Sequence, residues 1–106
     1  MINNKSLTNA EKIVMLCVWE AEVPVTCKDV INRLSLSYGR NYADTTVHTF
    51  LKNIMNKGYI SLISKKVNYY KANIDKETFV KEEINAMCNL LFGNDKEKMK
   101  DVISKL

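Results

Sequence analysis

The stretch that decides the fold is residues 43–58, ADTTVHTFLKNIMNKG. At about 100° per residue its apolar side chains fall on one side of a helix, namely Val47, Phe50, Leu51, Ile54 and Met55. Asp44 can cap the free amides of the first turn, and Gly58 stands where a left-handed residue commonly ends a helix. We therefore predict one amphipathic helix across this stretch.

The opposite side of this helix is polar and has no acid beyond the expected cap. It carries hydroxyls, amides, one imidazole and one ammonium, on Thr45, His48, Thr49, Lys52, Asn53 and Asn56. Such groups suit base edges and phosphate oxygens in a DNA major groove. An ordinary solvated face is the alternative, although such faces usually mix Glu with Lys at i,i+4 spacing. The pattern therefore predicts a DNA-recognition helix, with an ordinary solvent-exposed helix face as the alternative.

The composition bounds the class of protein. A chain of 106 residues that is 46% hydrophobic suits one small domain with an attached element. No apolar run approaches the roughly 18 residues that cross a bilayer. The polar start, residues 1–6, predicts no signal peptide, so the cytoplasm is the expected location. Cys17, Cys27 and Cys88 form no metal-binding spacing, so we expect reduced thiols, with the first two buried, and neither a metal site nor a cofactor.

The positive charge is concentrated in the part that contains the central helix. Residues 1–73 hold eight Lys and two Arg against five acids, a net charge of +5, whereas residues 74–106 hold six Lys against seven acids, a net charge of −1. This distribution is typical of a polyanion-binding module followed by a separate assembly segment.

Two capping patterns predict two helices before the central one. Thr8 and Glu11 have capping-box spacing, and residues 13–19 behind them are apolar nearly all round. Thr26, with Asp29 in the partner position, starts the second helix. These helices are expected to supply most of the core.

The second helix should end before Gly39, and residues 35–42 should form the turn into the central helix. Arg40 and Asn41 then lie beside the N-terminus of the central helix, where backbone amides and the helix dipole favour a phosphate. We count both residues as candidate DNA contacts.

Beyond Gly58 the apolar period changes from 3.6 to about 2 over residues 59–64 and 67–72, which predicts a β-hairpin. Lys65 and Lys66 fall at its tip, either as a wing that touches DNA phosphates or as an ordinary basic turn. Val25 is expected to enter a short strand that pairs with this hairpin. The predicted fold is mainly α with a small β-hairpin, a winged helix-turn-helix domain in which the second and third helices form the helix-turn-helix.

Two more helices follow, the first capped by Asn73 or Asp75 and the second by Asp95. Their apolar stripes have no remaining core to join, because the first three helices already fill it. We expect them to pair with a second copy of the chain, and packing back onto the winged domain is the alternative. Residues 1–73 are thus assigned as a winged-helix DNA-binding domain and 74–106 as a helical dimerisation segment. The stripes run through Val80, Ile84, Met87, Cys88 and Leu91, with Phe92 beside them, and through Met99, Val102, Ile103 and Leu106.

Several of these segments, in this order, resemble the penicillinase-repressor family (BlaI/MecI/CopY). They are LTNAEKIVM at 7–15, VWE at 18–20, VTCKDV at 25–30, ADTTV at 43–47, Thr49, KGYI at 57–60, Tyr69-Tyr70 and NLLFG at 89–93. The resemblance covers roughly residues 7–93 without a large gap.

The resemblance implies a homodimeric winged-helix repressor on palindromic operators, which controls β-lactam resistance or, in one branch, copper handling. In the family, the helix that matches residues 43–57 enters the major groove, and its contact positions fall here on Thr45, Thr46, His48, Thr49 and Lys52. Relatives often carry bulkier basic residues where this chain has Thr45, His48 and Asn53, so the operator sequence does not follow from the resemblance.

The sequence contains neither of the motifs by which members of this family are released from their operators. The β-lactam branch is cleaved at an Asn-Phe bond after activation of a membrane sensor peptidase, and this chain has no Asn-Phe pair. Cleavage at another bond, such as Asn89-Leu90, is left as an alternative that no motif supports. The copper branch uses paired C-x-C motifs, which are absent from the sequence as well.

A winged-helix protein-interaction module is the main alternative, with a repressor of another metal or stress regulon beside it. An enzyme is not expected, because the chain has one His, no glycine-rich loop and no paired carboxylates set for catalysis.

Overall fold

The computed structural model describes residues 6–106. The expectation about a signal peptide rests on residues 1–6, and residues 1–5 lie outside the described part. The described residues form five helices and one two-stranded antiparallel sheet. In chain order these are α1 (Asn9–Ala21), α2 (Cys27–Tyr38), α3 (Asp44–Asn56), β1 (Ile60–Ser64), β2 (Asn68–Ala72), α4 (Lys76–Phe92) and α5 (Lys96–Ser104). The predicted fold class, mainly α with one hairpin, is confirmed.

The chain separates into two compact units, with the boundary between Ile74 and Asp75. The part up to Ile74 is called the winged-helix unit below, and Asp75–Leu106 the tail unit. No helix among residues 6–106 combines the length and the apolarity that crossing a membrane requires.

Both predicted capping boxes are present. The Thr8 hydroxyl accepts from the Glu11 N–H at 3.2 Å, and the Glu11 carboxylate accepts from the Thr8 N–H at 2.8 Å. Thr26 and Asp29 make the same reciprocal pair at 3.1 and 3.0 Å. Two otherwise unpaired backbone N–H groups are satisfied at the start of each helix, which fixes where α1 and α2 begin.

The start of α3 differs from the sequence expectation. Its N-cap is Ala43, and Asp44 is already the first helical residue, so the expected Asp44 cap was wrong. The carboxylate still lies in the first turn, where the helix dipole favours a negative charge.

The end of α3 is as expected. Gly58 has a φ of +90°, its N–H donates to the Met55 carbonyl at 2.9 Å, and the Tyr59 N–H donates to Ile54 at 3.3 Å. This pair of bonds is a Schellman motif, which needs a residue of positive φ and therefore favours glycine.

The turn between α2 and α3 is shorter than predicted. Ser35–Tyr38 continue α2 instead of opening the turn, because no helix breaker occurs before Gly39. Gly39 ends the helix at a φ of +63°, and the Arg40 N–H then donates to the Leu34 carbonyl at 2.9 Å. The helix-turn-helix connection is therefore confined to residues 39–43.

The core of the winged-helix unit lies between the first three helices and the hairpin. Its least exposed apolar residues are Val14, Met15, Cys17, Val30, Leu34, Val47, Leu51, Ile54 and Ile60. Val25 bridges to Tyr70 through reciprocal backbone hydrogen bonds of 2.9 and 2.7 Å, so the expected short strand is an isolated bridge onto β2. The Trp19 indole N–H donates to the Ile74 carbonyl at 2.8 Å and holds the end of the unit onto α1.

In the hairpin, Ile60 pairs with Ala72 and Ser64 with Asn68, so residues 65–67 form the predicted tip. The side chains of Lys65 and Lys66 at this tip are exposed. Closing the hairpin against Val25 fixes the direction in which the tip projects from the winged-helix unit.

In the tail unit, Asp75 caps α4 and Asp95 caps α5, accepting from the N–H groups of Thr78 and Lys98 at 2.7 and 3.1 Å. Gly93 and Asn94 between the two helices both have positive φ. Most of the apolar stripe is exposed: Val80, Ile84, Met87, Leu91, Val102, Ile103 and Leu106 are each at least 41% accessible. Phe92 and Met99 are half-buried, whereas Cys88 is buried and so does not belong to the exposed stripe.

Candidate nucleic-acid interface

The two faces of α3 separate as its sequence pattern predicts. Val47, Leu51 and Ile54 have no accessible surface. The candidate base-contacting residues lie on the outer face, where Thr46 is half-buried and the others are exposed: Thr45, His48, Thr49, Lys52 and Asn53. These three buried side chains hold the helix axis in place, while the outer side chains are accessible to a ligand.

The Thr49 hydroxyl is committed as a donor within α3. It donates to the Thr45 carbonyl at 3.0 Å, so only the lone pairs of its oxygen remain for a ligand, beside its methyl group. In a major groove such a side chain matches the amino group of adenine or cytosine and the methyl group of thymine.

The turn that precedes α3 holds Arg40 and Asn41 in defined positions. Ser35 donates to the Asn41 side-chain oxygen at 2.7 Å, which leaves the Asn41 amide hydrogens available. Arg40 donates through Nη1 to the Tyr42 hydroxyl oxygen at 3.0 Å. The Tyr42 ring stands edge-on to Phe50, with centroids 5.1 Å apart and planes at 84°. Both candidate phosphate contacts are thus held by neighbouring side chains.

An open groove of about 320 Å³ lies between the start of α2, the outer face of α3 and the hairpin tip. It brings His48 and Lys66 together, although they are 18 residues apart in the sequence. The groove is lined by Thr26, Cys27, Lys28, His48, Lys66, Val67, Asn68 and Tyr70. Lys28 was not among the sequence-based candidates, because its approach to the hairpin depends on tertiary packing.

The two lysines of the hairpin tip lie in different surroundings. Lys66 lines the groove beside α3, whereas Lys65 lines a separate depression of about 220 Å³ with Pro24, Ile63 and Tyr69. Sequence proximity at the tip therefore does not make these two ammonium groups equivalent.

The C-terminal end of α3 is anchored by an ion pair with α1. The Lys57 ammonium lies 2.6 Å from the Glu11 carboxylate and 3.1 Å from the Ser6 carbonyl, and the Glu11 and Lys57 side chains are 3% and 17% exposed. Burial alone would raise the pKa of Glu11, but the hydrogen bonds from Lys57 and from the Thr8 N–H outweigh it and hold that pKa below its usual value. Because its ammonium is occupied here, Lys57 is a structural residue.

The thiols of the winged-helix unit have no features of nucleophiles. Burial, with a smaller contribution from Glu20, raises the pKa of Cys17 to about 11, and burial and then Asp44 raise that of Cys27. Cys17 is buried as expected, but Cys27 is only half-buried. Within residues 6–106, no group of three or more His, Cys, Asp or Glu is placed to hold a metal ion.

Comparison with known proteins identifies relatives of this arrangement. The model of the family described as penicillinase repressor matches residues 7–105. The solution structure of the DNA-binding domain of the repressor BlaI is 26% identical, with a TM-score of 0.60 over 72% of this chain and 90% of that chain. No curated protein sequence gives a significant match.

Two further solved structures are similar. The Bacillus licheniformis BlaI monomer in complex with the blaP half-operator is 26% identical, with a TM-score of 0.57 over 73% of this chain and 92% of that chain. RosR of H. salinarum is 16% identical, with a TM-score of 0.59 over 97% of this chain and 96% of that chain. At this low identity the likeness to RosR concerns the fold alone.

Proposed function

The chain belongs to the penicillinase repressor family, and from this premise we propose that it is a transcriptional repressor that binds double-stranded operator DNA. The observation that carries the proposal is the outer face of α3, which is polar and largely exposed, on a helix whose inner residues Val47, Leu51 and Ile54 are buried. The similarity to a BlaI monomer in complex with a half-operator supports the same function.

In the proposed complex α3 enters the major groove. Base edges are read by the outer face of α3, through Thr45, Thr46, His48, Thr49, Lys52 and Asn53. Phosphates on either side are held by Arg40 and Asn41 in the turn and by Lys65 and Lys66 at the hairpin tip. Of these, Lys66 is expected to contribute more than Lys65, because it shares a groove with His48 of α3. The phosphate contacts set the position of α3, and the α3 side chains set the sequence preference.

We further propose that the tail unit joins two copies in a two-fold dimer. Its support is the exposed apolar stripe, since Leu91 is 69% and Ile103 55% accessible. Exposed apolar side chains in such number on a small protein commonly mark an interaction site. A two-fold pair would present two α3 helices to a palindromic operator with half-sites about 34 Å apart, one helical turn of DNA.

The regulated genes are proposed to be those of β-lactam resistance, on the strength of the family. A membrane sensor peptidase is then the proposed partner that ends repression. Residues 1–106 contain no Asn-Phe bond, so cleavage within them would occur at another bond.

The proposal is tested by fluorescence anisotropy of the full chain with a labelled duplex from its own upstream region, over a series of salt concentrations. We expect tight binding at low salt and a slope of log K against log[salt] of about −0.9 for each phosphate contacted. Replacing Lys65 and Lys66 by Ala should weaken binding to all sequences alike and reduce the slope.

The matched control is Lys96→Ala with Lys98→Ala, which removes the same charge from exposed positions of α5. This control should leave both affinity and slope close to those of the parent protein. Failure of the parent protein to bind the duplex in dilute buffer would refute the proposed function.

A further inference from the structure

A second donor lies beside Arg40 in the turn before α3. The Tyr42 hydroxyl was not among the sequence-based candidates, yet it is joined directly to one of them, since its oxygen accepts from Arg40 Nη1 at 3.0 Å. The Tyr42 side chain is half-buried, whereas Arg40 is exposed.

The direction of this hydrogen bond leaves the Tyr42 proton unused. A phenol has one O–H donor, and an oxygen that accepts from a guanidinium turns its own hydrogen away from that cation. Arg40 has five N–H donors in a planar fork and uses one of them on Tyr42. The pair therefore presents a positive charge with several N–H donors and an adjacent O–H donor.

The position of this hydroxyl is set by the recognition helix itself. The edge-on contact between the Tyr42 and Phe50 rings, 5.1 Å between centroids, ties the phenol to α3. The backbone of the turn is fixed as well, because the Arg40 N–H donates to the Leu34 carbonyl at 2.9 Å. A group that binds here is thereby located relative to α3.

We propose that Arg40 and Tyr42 together form one binding site for a single DNA phosphate, with the Tyr42 O–H and the Arg40 guanidinium donating to the phosphate oxygens. Phosphate oxygens accept such charge-assisted bonds well, and tyrosine is among the side chains that contact them in DNA complexes. The inference rests on the proposed DNA-binding function and assigns to Tyr42 a role in setting the register of α3 in the groove. It gives Tyr42 no part in reading bases.

The test is Tyr42→Phe, which keeps the ring and its contact with Phe50 and removes only the hydroxyl. Affinity should fall about tenfold or more for specific and unrelated duplexes alike, as expected for a lost hydrogen bond to a charged group. The variant should melt within a few degrees of the parent protein. Tyr38→Phe is the matched control, since it removes a phenol that donates to Glu20 at 2.8 Å and should leave DNA affinity unchanged.

Two further measurements separate a phosphate contact from a structural effect. In a second experiment a single neutral methylphosphonate replaces each phosphate of the duplex in turn. At one position per half-site, this replacement should lower the affinity of the parent protein but should not lower the affinity of Tyr42→Phe any further. In a double-mutant cycle, Tyr42→Phe should have little effect once Arg40 has been changed to Ala.

The inference is overturned if Tyr42→Phe binds as the parent protein does, or if its defect persists at every methylphosphonate position. It is overturned as well if the losses for Arg40→Ala and Tyr42→Phe simply multiply. These outcomes leave the proposed function intact when the parent protein binds DNA. Absence of any duplex binding by the parent protein would remove both.

Discussion

Replacing Lys57 by Met should lower the free energy of unfolding of the winged-helix unit by about 3 kcal/mol. The Glu11 side chain is 3% exposed and its carboxylate lies 2.6 Å from the Lys57 ammonium. Removing one partner of a buried pair leaves an uncompensated charge, which costs about 3–5 kcal/mol. The lower end applies because the Lys57 side chain is 17% exposed, so water reaches the gap. For a unit of this size the melting temperature should fall by roughly 12–24 °C.

The defect should depend on pH in a definite direction. In the parent protein the pKa of Glu11 is below its usual value of 4.5, so the pair stabilises the fold above that pH and the stabilisation is lost as the pH falls through the lowered pKa. In Lys57→Met burial remains, but the hydrogen bond and the charge of Lys57 are gone, so the pKa of Glu11 should rise. The variant is then penalised for a buried carboxylate at pH 7 and relieved when that carboxylate is protonated. The difference between the two proteins should shrink as the pH is lowered towards 4.

The measurement is urea denaturation followed by circular dichroism at pH 7 and near pH 4. Lys52→Met is the control on the same helix, since Lys52 is exposed and its loss should change stability by less than about 0.5 kcal/mol. Adding Glu11→Gln to Lys57→Met should restore much of the lost stability at pH 7, because Gln can still accept from the Thr8 N–H without a charge. Equal losses for Lys57→Met and Lys52→Met, or no recovery in the double variant, would show that the pair does not act in this way.

Three other predictions concern α3 and the tail unit. Thr49→Ala should reduce discrimination at one operator base by about fivefold, for a lost hydrogen bond of about 1 kcal/mol, in competition between single-base operator variants; a uniform loss across sequences would assign Thr49 to the backbone instead. Leu91→Asp should give monomers in analytical ultracentrifugation, with Asn89→Asp as a control of the same charge on α4, and a dimer that survives would refute the role of the stripe. Gly58→Ala should lower stability by about 1 kcal/mol or more in urea denaturation, because an alanine at a φ of +90° is strained, and an unchanged midpoint would contradict the Schellman motif.

Signals confined to a few residues predicted the fold well. The capping box of Thr8 and Glu11 acts over three residues, so its spacing in the sequence is sufficient to locate the start of α1. The same kind of local signal led to a wrong prediction for the N-cap of α3. Ala43 and Asp44 both stand at the helix boundary, and a shift of one residue decides which of them is helical. Ser35–Tyr38 were assigned to a turn on composition, yet a helix continues until a residue such as Gly39 ends it.

Features that depend on tertiary packing could not be predicted from the sequence alone. Glu11 and Lys57 are 46 residues apart, and nothing in either segment marks them as partners. Lys28 and Lys66 come together in one groove only because the hairpin folds back over the start of α2. Most candidate DNA contacts on α3 are exposed, as helical periodicity predicted, but Thr46 is half-buried. The binding role of all of them stays a prediction.

The contacts that hold α3 explain how one helix can stabilise the fold and still present the proposed recognition residues. The Tyr42 ring, from the turn before α3, packs edge-on against Phe50 in the middle of the helix, and at the end of the helix Lys57 is held by Glu11 of α1. These contacts and the buried residues of the inner face fix the axis of α3. The outer residues of the helix therefore contribute little to the packing energy. Exchanges at Thr45 or His48 should therefore change which bases are preferred at small cost in stability, whereas exchanges at Phe50 or Lys57 should affect every sequence equally. This division of roles would let base preference change through the outer residues while the winged-helix architecture stays the same.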